Sequence, residues 1–282
     1  MKTVLLILIG IFYLNNSFSQ KVDYSLDWIN DFEIDTSLRK DLKFSEFLKI
    51  IDLSKSFKYI DIGDSAYPWE DYGIFDENNL RIDIVFTSVK KNENNPLQYD
   101  IKGKTRLKSN ICDFSGYVLL TQIKKYYNNY AYSGDLIDTT FFGRVLGNYE
   151  FKENENQFGT GVFNGAFSAN IDIDFKHPKE SGFRGEFELS KYQGSYVGTW
   201  QDYKTQKNKK CIWTVGSIDF PYSGDFWIPL TKVEIAEHKK HQGCKCNIYS
   251  PNTKINTKYI NNGWKSYLDK YLEKREQWWI EK

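Results

Sequence analysis

Hydrophobic and polar positions change their spacing along the chain, and each spacing predicts a different kind of element. Residues 4–14 form an apolar run that only Gly10 interrupts. Between residues 24 and 53 the apolar positions recur every three or four residues, which predicts one or two short helices. From Phe57 onward they recur every second residue, and strand structure is predicted to begin there.

The strand-like segments follow one another at short intervals. They cover residues 80–89, 97–106, 112–127 and 136–142, and clusters of Asn, Gly, Asp or Pro separate them. This spacing is typical of an antiparallel meander, in which each strand pairs with the next one through a turn.

From Gly143 the chain repeats a pattern in which an aromatic residue stands two positions after a glycine. Period two places the aromatics on one face, while the glycines relieve crowding and let a strand coil or approach its neighbour closely. A sheet curled in this way closes on itself and removes its exposed edges. We therefore predict a mainly β fold, an antiparallel meander closing into a barrel or tightly rolled sheet, with about nine to eleven strands between residues 57 and 216. The repeats lie at residues 147–151, 161–167, 182–187 and 194–200.

The stretch from residue 143 to 213 resembles a recurrent Gly-aromatic pattern of uncharacterised secreted β-barrel proteins and lipoproteins of Gram-negative bacteria. In that pattern G-x-Y, G-x-F-x-G and a closing G-T-W follow one another. Gly198-Thr199-Trp200 is also similar to the G-x-W motif of lipocalins, although lipocalins carry that motif on their first strand. The resemblance covers about a quarter of the chain. It implies the fold and no residue roles.

The sequence after Phe220 differs in composition from the strand-rich region. In its last segment, residues 263–282, apolar and aromatic positions recur at three- and four-residue steps. We predict a C-terminal amphipathic helix there, with its aromatic side packed against the outer face or one mouth of the barrel. The predicted division of the chain is a signal peptide (1–19), an N-terminal helical extension (20–56), a β-barrel-like domain (57–220) and a C-terminal tail with the terminal helix (221–282).

The N-terminus has the order of a secretory signal peptide. Lys2 is followed by a short apolar core and by small residues before a cut that we place between Ser19 and Gln20. The core is shorter than the roughly 20 residues that span a bilayer, and no later stretch is apolar enough to do so. No Cys follows the cut, so lipid anchoring is not supported. We predict an exported protein, periplasmic or secreted, without a retained transmembrane anchor.

Charge narrows the range of partners. Removing residues 1–19 takes away Lys2 alone and leaves 37 basic and 37 acidic residues. A formally neutral protein has no overall field to attract nucleic acid or anionic lipid, and we expect neither as a partner. The sequence also lacks the G-x-S-x-G elbow of hydrolases and the glycine-rich loops that bind nucleotides.

The four cysteines are an even number in a chain predicted to be exported, so disulfides are expected. Cys244 and Cys246 stand too close together to pair readily with each other. Cys112 would then pair with one of them and Cys211 with the other, which ties the tail to the barrel. Alternatively, Cys112 pairs with Cys211 and leaves two free thiols.

A metal site is the competing hypothesis for the same segment of the tail. His238, His241, Cys244 and Cys246 form an H-x2-H-x2-C-x-C cluster that could wrap a tetrahedral zinc ion. The C-x-C step is tighter than the usual spacing of zinc ligands, and an oxidising compartment seldom keeps thiols free. We therefore favour disulfides and expect no cofactor, with zinc as the alternative.

A pair of carboxylates is the candidate for hydrolytic chemistry. Asp172 and Asp174 alternate with isoleucines and would share one face of a strand, at a separation that suits a carbohydrate-active hydrolase. Alternation alone also explains this pattern as the solvated face of a strand. No catalytic pair is therefore assigned.

The tryptophans are the candidate ligand-binding residues, because indole faces stack on sugars or line apolar cavities. Their other role would be to fill the core of the barrel. The sequence predicts an exported binding or structural module with a small apolar or carbohydrate ligand. The alternative is an enzyme, either a carbohydrate-active hydrolase or a zinc protein that uses the tail cluster. The candidates are Trp69, Trp200, Trp213 and Trp227.

Overall fold

The computed structural model describes residues 38–40, 46, 48–49, 51–58, 71–126, 140–183, 195–214, 262 and 278–280. These residues form one antiparallel sheet and very little helix. Residues 46, 48 and 49 are helical and lie in the range, residues 24–53, for which one or two short helices are predicted, whereas residues 38–40 of the same range form a strand. The elements are β1 (Leu38–Lys40), α1 (Ser54–Lys58), β2 (Asp71–Phe75), β3 (Leu80–Lys91), β4 (Gln98–Leu107), β5 (Asn110–Tyr126), β6 (Thr140–Glu153), β7 (Gly161–Asp174), a 3-10 turn (Pro178–Glu180), β8 (Gly182–Phe183), β9 (Ser195–Asp202) and β10 (Asn208–Thr214).

Eight of these strands form a closed ring of hydrogen bonds. The order around the ring is β5, β4, β3, β2, β10, β9, β7 and β6, and β6 pairs again with β5. Every pairing in the ring is antiparallel. The predicted mainly β fold, an antiparallel meander that closes on itself, is therefore confirmed. Nine strands, β2 to β10, lie in the described part of residues 57–216.

Alternation along the strands sorts side chains between the inside and the outside of the ring. The described aromatic residues of the Gly-aromatic repeats face inward, as their period predicts, and their rings touch one another. Tyr196, for example, stacks on Trp213 with ring centroids 4.8 Å apart. Large aromatic side chains thus fill the ring. The inward aromatic residues, each at most 5% exposed, include Phe75, Phe86, Tyr99, Phe114, Tyr149, Phe151, Phe163, Phe167, Tyr196, Trp200 and Trp213.

Two glycines of the repeats lie where β7 and β9 leave no room for a side chain between them. Gly165 on β7 is directly opposite Gly198 on β9. A Cβ atom on either residue would collide with the backbone of the other strand. The repeats therefore combine aromatic filling inside the ring with close contact between strands.

Four hairpins connect neighbouring strands at one end of the ring, which we call the hairpin end. They comprise residues 76–79, 108–109, 154–160 and 203–207. A left-handed backbone conformation allows a strand to reverse direction within a few residues. All described residues with φ between +54° and +68° lie in these hairpins: Asp76, Asn79, Lys108, Gly159 and Gln206.

Residues 48, 49 and 51–58, which we call the plug, pack into the core at the opposite end of the ring. Leu48, Ile51, Leu53 and Phe57 are at most 7% exposed and belong to the same core as the inward side chains. The prediction that a strand begins at Phe57 is wrong, because Phe57 lies in α1 and its N–H donates to the Leu53 oxygen at 3.2 Å. Leu53 and Phe57 stand one helical turn apart and both reach the core, which outweighs the short alternation after them.

Two predicted segments lie outside the described residues. These are the signal peptide at residues 1–19 and nearly all of the C-terminal helix, of which only residues 278–280 are described, as a turn and bend. No helix in the described part of the chain is long and apolar enough to cross a membrane.

Candidate functional site

Trp200 and Trp213, two of the four candidate ligand-binding residues, lie inside the ring. Trp213 is completely buried, stacked on Tyr196 and edge-on to Tyr149. Trp200 is 5% exposed and stands near the hairpin end, where its ring meets Phe75 edge-on. These are contacts of core residues. A ligand would reach either indole only if the ring opened.

Glu153, the last residue of β6, is a carboxylate on the aromatic inner face, and it is 5% exposed. Its Oε1 accepts a hydrogen bond from Thr105 Oγ1 at 2.5 Å. Its Oε2 accepts from Trp200 Nε1 and from the backbone N–H of Gly161, both at 2.9 Å. Three donors therefore satisfy both oxygens, as a buried carboxylate requires. We call Glu153 and these three partners the Glu153 node.

Burial shifts the pKa values of Glu153 and of the two buried cysteine thiols. It raises the pKa of Glu153 above its ordinary value of 4.5, and the three hydrogen bonds oppose that effect. Burial also raises the pKa of the Cys112 thiol to about 11 and that of Cys211 well above its ordinary value, and the charge of Glu153 adds to both. Both thiols are therefore protonated and poor nucleophiles near neutral pH.

Lys209 covers the aromatic rings at the hairpin end. Its Nζ lies 5.2 Å from the centre of the Phe75 ring and 5.5 Å from that of Trp200. The same Nζ lies 3.4 Å from Asp76 Oδ2. An ammonium group over aromatic faces is favourable because the faces carry partial negative charge. Lys209 and the Glu153 node thus occupy this end of the ring.

The side chain of Lys91, at the end of β3, donates hydrogen bonds to backbone oxygens of the plug. Its Nζ donates to the oxygens of Leu48 at 3.2 Å, Lys49 at 2.7 Å and Ile51 at 2.5 Å. Carbonyls at the end of a helical segment lack partners within the helix, so an ammonium donor satisfies them. Burial lowers the pKa of Lys91, and the nearby charge of Asp52 opposes that shift.

Tyr99 and Phe57 form the apolar contact between the plug and the ring. The Phe57 ring lies 4.9 Å from Tyr99, 5.2 Å from Phe167 and 4.7 Å from Phe183, measured between ring centroids. The Tyr99 hydroxyl also accepts a hydrogen bond from the backbone N–H of Leu53 at 3.2 Å. Burial raises the pKa of Tyr99 to about 12, so this hydroxyl stays protonated.

The outer face of the ring carries a row of buried polar side chains across three neighbouring strands. In the strand register, Lys124 on β5 lies directly opposite Arg144 on β6, and Arg144 lies directly opposite Asn170 on β7. Lys124 is 6% exposed, Arg144 1% and Asn170 fully buried. Arg144 Nε donates to Ser168 Oγ at 2.9 Å, and that hydroxyl donates to the Val145 oxygen at 3.0 Å. We call Lys124, Arg144, Ser168 and Asn170 the outer polar row.

A second polar cluster lies on the outer face of β3 and β4. Asp83 Oδ1 accepts from Arg81 Nε at 2.5 Å, and Asp83 Oδ2 accepts from Arg106 Nε at 2.9 Å and Nη2 at 2.7 Å. The Arg106 guanidinium lies over the Trp278 ring, 4.5 Å from its centre. These contacts join one residue of the C-terminal tail to the sheet.

Cys112 and Cys211 are free thiols in the structure, in contrast to the predicted disulfides. They lie on β5 and β10, which are four strands apart in either direction around the ring of eight. A disulfide requires Cα atoms about 4.4–6.8 Å apart. Opposite walls of a ring filled with aromatic side chains do not come that close, so these two residues cannot bridge each other in this fold. Their predicted partners, Cys244 and Cys246, lie outside the described residues.

The remaining predicted site residues also lie outside the described part of the chain. Within that part, no three His, Cys, Asp or Glu side chains lie close enough together to hold a metal ion. The zinc hypothesis therefore stays a prediction, as does ligand binding by the other two tryptophans. The residues concerned are Trp69, Trp227, His238, His241, Cys244 and Cys246.

Asp172 and Asp174 both lie on the outer side of β7, two positions apart, as the alternation predicts. Asp174 Oδ1 accepts hydrogen bonds from the backbone N–H groups of Lys176 and His177. Its Oδ2 lies 3.1 Å from His177 Nδ1. These contacts lower the pKa of Asp174. Its carboxylate caps the turn that follows β7.

Sequence reasoning missed both Glu153 and the outer polar row. Glu153 continues the period-two series of Tyr149 and Phe151, so its position alone marked an inward carboxylate among aromatics. No comparable signal marked Arg144, because alternation says which face a residue takes and not whether that face is buried.

The comparisons with known proteins identified no relative of this chain. The chain matches no protein-family model, and neither a curated protein nor a solved structure is detectably similar to it.

Proposed function

We propose that this chain is an exported, non-enzymatic binding module that is built on a rigid aromatic scaffold and meets its ligand on the outer face. The observation that carries the proposal is the filled interior of the ring. Inward aromatic residues contact one another, the plug packs at one end, and Lys209 and the Glu153 node occupy the other. An eight-stranded ring has room either for side chains or for one small ligand, and here side chains fill the described interior. A ligand is therefore expected to bind outside.

The reactive groups inside the ring support a scaffold role. Glu153 accepts hydrogen bonds from three protein donors. The thiols of Cys112 and Cys211 have raised pKa values and are buried. Catalytic acids and nucleophiles must reach a substrate, whereas these groups face the packed core.

A titration of the purified protein tests the closed interior. The probes are 1-anilinonaphthalene-8-sulfonate, which is apolar and fluorescent, and a soluble oligosaccharide, with intrinsic tryptophan emission as the second readout. We expect no saturable change, because Trp200 and Trp213 are buried. The variant Phe57→Ala opens space beside the plug and should gain binding of the apolar probe. Saturable binding by the unmodified protein with quenching of buried indoles would overturn the proposal in favour of an interior ligand.

Export is part of the proposal and is supported by the signal-like order of residues 1–19. The resemblance to secreted Gly-aromatic proteins of Gram-negative bacteria favours the same destination. We expect the intact mass of protein recovered from the periplasm or medium to begin at Gln20. Recovery from the cytoplasm alone, with residues 1–19 retained, would contradict export.

The same mass measurement separates the hypotheses for the cysteines. Alkylation of the denatured protein without reductant is expected to modify Cys112 and Cys211, which are free thiols in the structure. If neither is modified, both are bridged to the tail cysteines and the disulfide prediction returns. A zinc-sized mass lost on denaturation would favour the alternative, a zinc protein that uses His238, His241, Cys244 and Cys246.

A further inference from the structure

The large hydrophobic side chains that are exposed among the described residues gather at one corner of the hairpin end. Phe158 is 87% exposed, Ile280 55% and Ile111 39%. Phe158 lies in the hairpin of residues 154–160, and its backbone oxygen accepts a hydrogen bond from Asn110 Nδ2 at 2.9 Å, directly before Ile111 in the chain. Single exposed hydrophobic residues are common on protein surfaces, whereas a group of them usually marks an interaction site.

The strand register brings the tail to the same corner. Ile111 on β5 lies directly opposite Arg106 on β4, and neighbouring strands are about 4.8 Å apart. The Arg106 guanidinium lies over the Trp278 ring, 4.5 Å from its centre. Ile280 follows Trp278 by two residues, so at most about 7 Å of chain separate them. We call Ile111, Phe158, Trp278 and Ile280 the apolar corner.

Hydrogen bonds fix the backbone on both sides of Phe158. Gln157 Oε1 accepts from the backbone N–H of Asp113 at 2.8 Å, and Gln157 Nε2 donates to Asp113 Oδ2 at 3.2 Å. Gly159 follows with φ +66°, a left-handed conformation that suits glycine. The Phe158 ring therefore projects into water from a fixed position. A group held in this way loses little conformational entropy on binding, and aromatic residues are enriched in the cores of interfaces.

The charges beside the apolar corner are of both signs. Glu155 lies in the same hairpin as Phe158 and Lys108 in the neighbouring one, and both side chains are exposed. A surface with both signs can meet a copy of itself, because a two-fold dimer places the same surface on both sides of the interface. The formal net charge of the whole chain is +1, so two copies repel each other only weakly. Anionic lipid, in contrast, attracts clusters of basic residues alone.

We propose that the apolar corner is a self-association surface through which two copies of this chain form a two-fold dimer. Phe158 of each copy packs against the apolar corner of the other. Four side chains make a small interface, and small interfaces are weak, so the dimer is expected to dissociate in the micromolar range. The inference goes beyond the proposed function, because the dimer requires no ligand.

Sedimentation velocity of the full-length protein at concentrations from about 1 to 100 μM tests the dimer. We expect the average mass to rise with concentration from that of one chain toward that of two. Phe158→Ala should weaken the association at least tenfold, and Ile111→Thr, which removes less apolar surface, should weaken it severalfold. Lys49→Gln, which changes an exposed lysine at the plug end, should leave it unchanged. Urea unfolding of dilute, monomeric Phe158→Ala checks that the fold is intact.

The mass of one chain at every concentration would overturn the proposal. A dimer that Phe158→Ala forms as readily as the unmodified protein would also overturn it, because the contact then lies elsewhere. Co-sedimentation with phosphatidylcholine vesicles is measured for the same two proteins. If the unmodified protein stays monomeric and binds vesicles, and Phe158→Ala does not, the apolar corner contacts lipid and the dimer is refuted.

Discussion

The two ends of the ring are occupied by different chemistry. At the plug end, a separate stretch of chain inserts Phe57 among aromatic rings from the strands. At the hairpin end, the strands use their own residues, a buried carboxylate at Glu153 and an ammonium group at Lys209. Apolar packing loses stability in proportion to the volume removed. Where packing depends on hydrogen bonds, the stability that a substitution removes depends on whether a buried donor or acceptor is left without a partner.

The largest effect should come from the plug end. Phe57→Ala removes a ring that is 7% exposed and contacts three others. We expect it to lower the free energy of unfolding by about 3–5 kcal/mol, as measured by urea unfolding. The control is Phe158→Ala, because Phe158 is 87% exposed and should change stability by less than about 0.5 kcal/mol. Equal effects of the two variants would mean that the plug contributes no core packing.

The hairpin end should distinguish loss of charge from loss of hydrogen bonding. Glu153→Leu leaves the buried N–H groups of Trp200 and Gly161 without an acceptor, so we expect a loss of about 2–4 kcal/mol. Glu153→Gln keeps an oxygen for those donors and an NH2 group that can donate to Thr105, so its loss should be about 1 kcal/mol. The measurement is urea unfolding of both variants. Losses of the same size would refute a role for these hydrogen bonds.

A smaller effect is expected from the polar contact at the plug end. Lys91→Met removes the donor to three backbone oxygens and should cost about 1–2 kcal/mol in urea unfolding. Lys49→Met is the control, because the Lys49 pair with Glu46 is exposed and should contribute less than about 0.5 kcal/mol. A loss as small as the control's would mean that the Lys91 hydrogen bonds do not help to hold the plug.

The most gradual effect is the pH dependence at the hairpin end. Because the pKa of Glu153 is raised on folding, its contribution to stability is full below the ordinary pKa of 4.5 and is lost as pH rises through the folded pKa. Glu153→Gln removes this titration, so the stability of the unmodified protein should fall relative to the variant over that window. The slope is at most about 1.4 kcal/mol per pH unit.

Urea unfolding of both proteins between pH 4 and 8 measures this difference. The pKa values of Asp174 and Asp202 are lowered, so their contributions are present above the ordinary pKa of 3.8 and decline in acid. Both residues are present in both proteins and cancel in the comparison. A difference that does not vary with pH would show that Glu153 does not titrate between pH 4 and 8.

Local periodicity accounts for most of what could be predicted of the fold. The segments predicted at residues 80–89 and 97–106 correspond to β3 and β4, and the described aromatics of the repeats face inward. Alternation works here because successive side chains of a strand point to opposite faces. It failed at Phe57, where the burial of one helical turn decided the structure. It also carried no information on the burial of Arg144, which depends on contacts of the outer face.

The sequence by itself determined the class of fold, the inward aromatic face and the close approach of strands at glycine, because each follows from the geometry of a few neighbouring residues. Only the tertiary structure decided which strands distant in the chain pair with each other around the ring. The pairing of β2 with β10 brings Phe75 beside Cys211, far apart in the chain, while Cys112 stays on the opposite wall. Such pairings depend on how the whole core packs, and local spacing does not encode them.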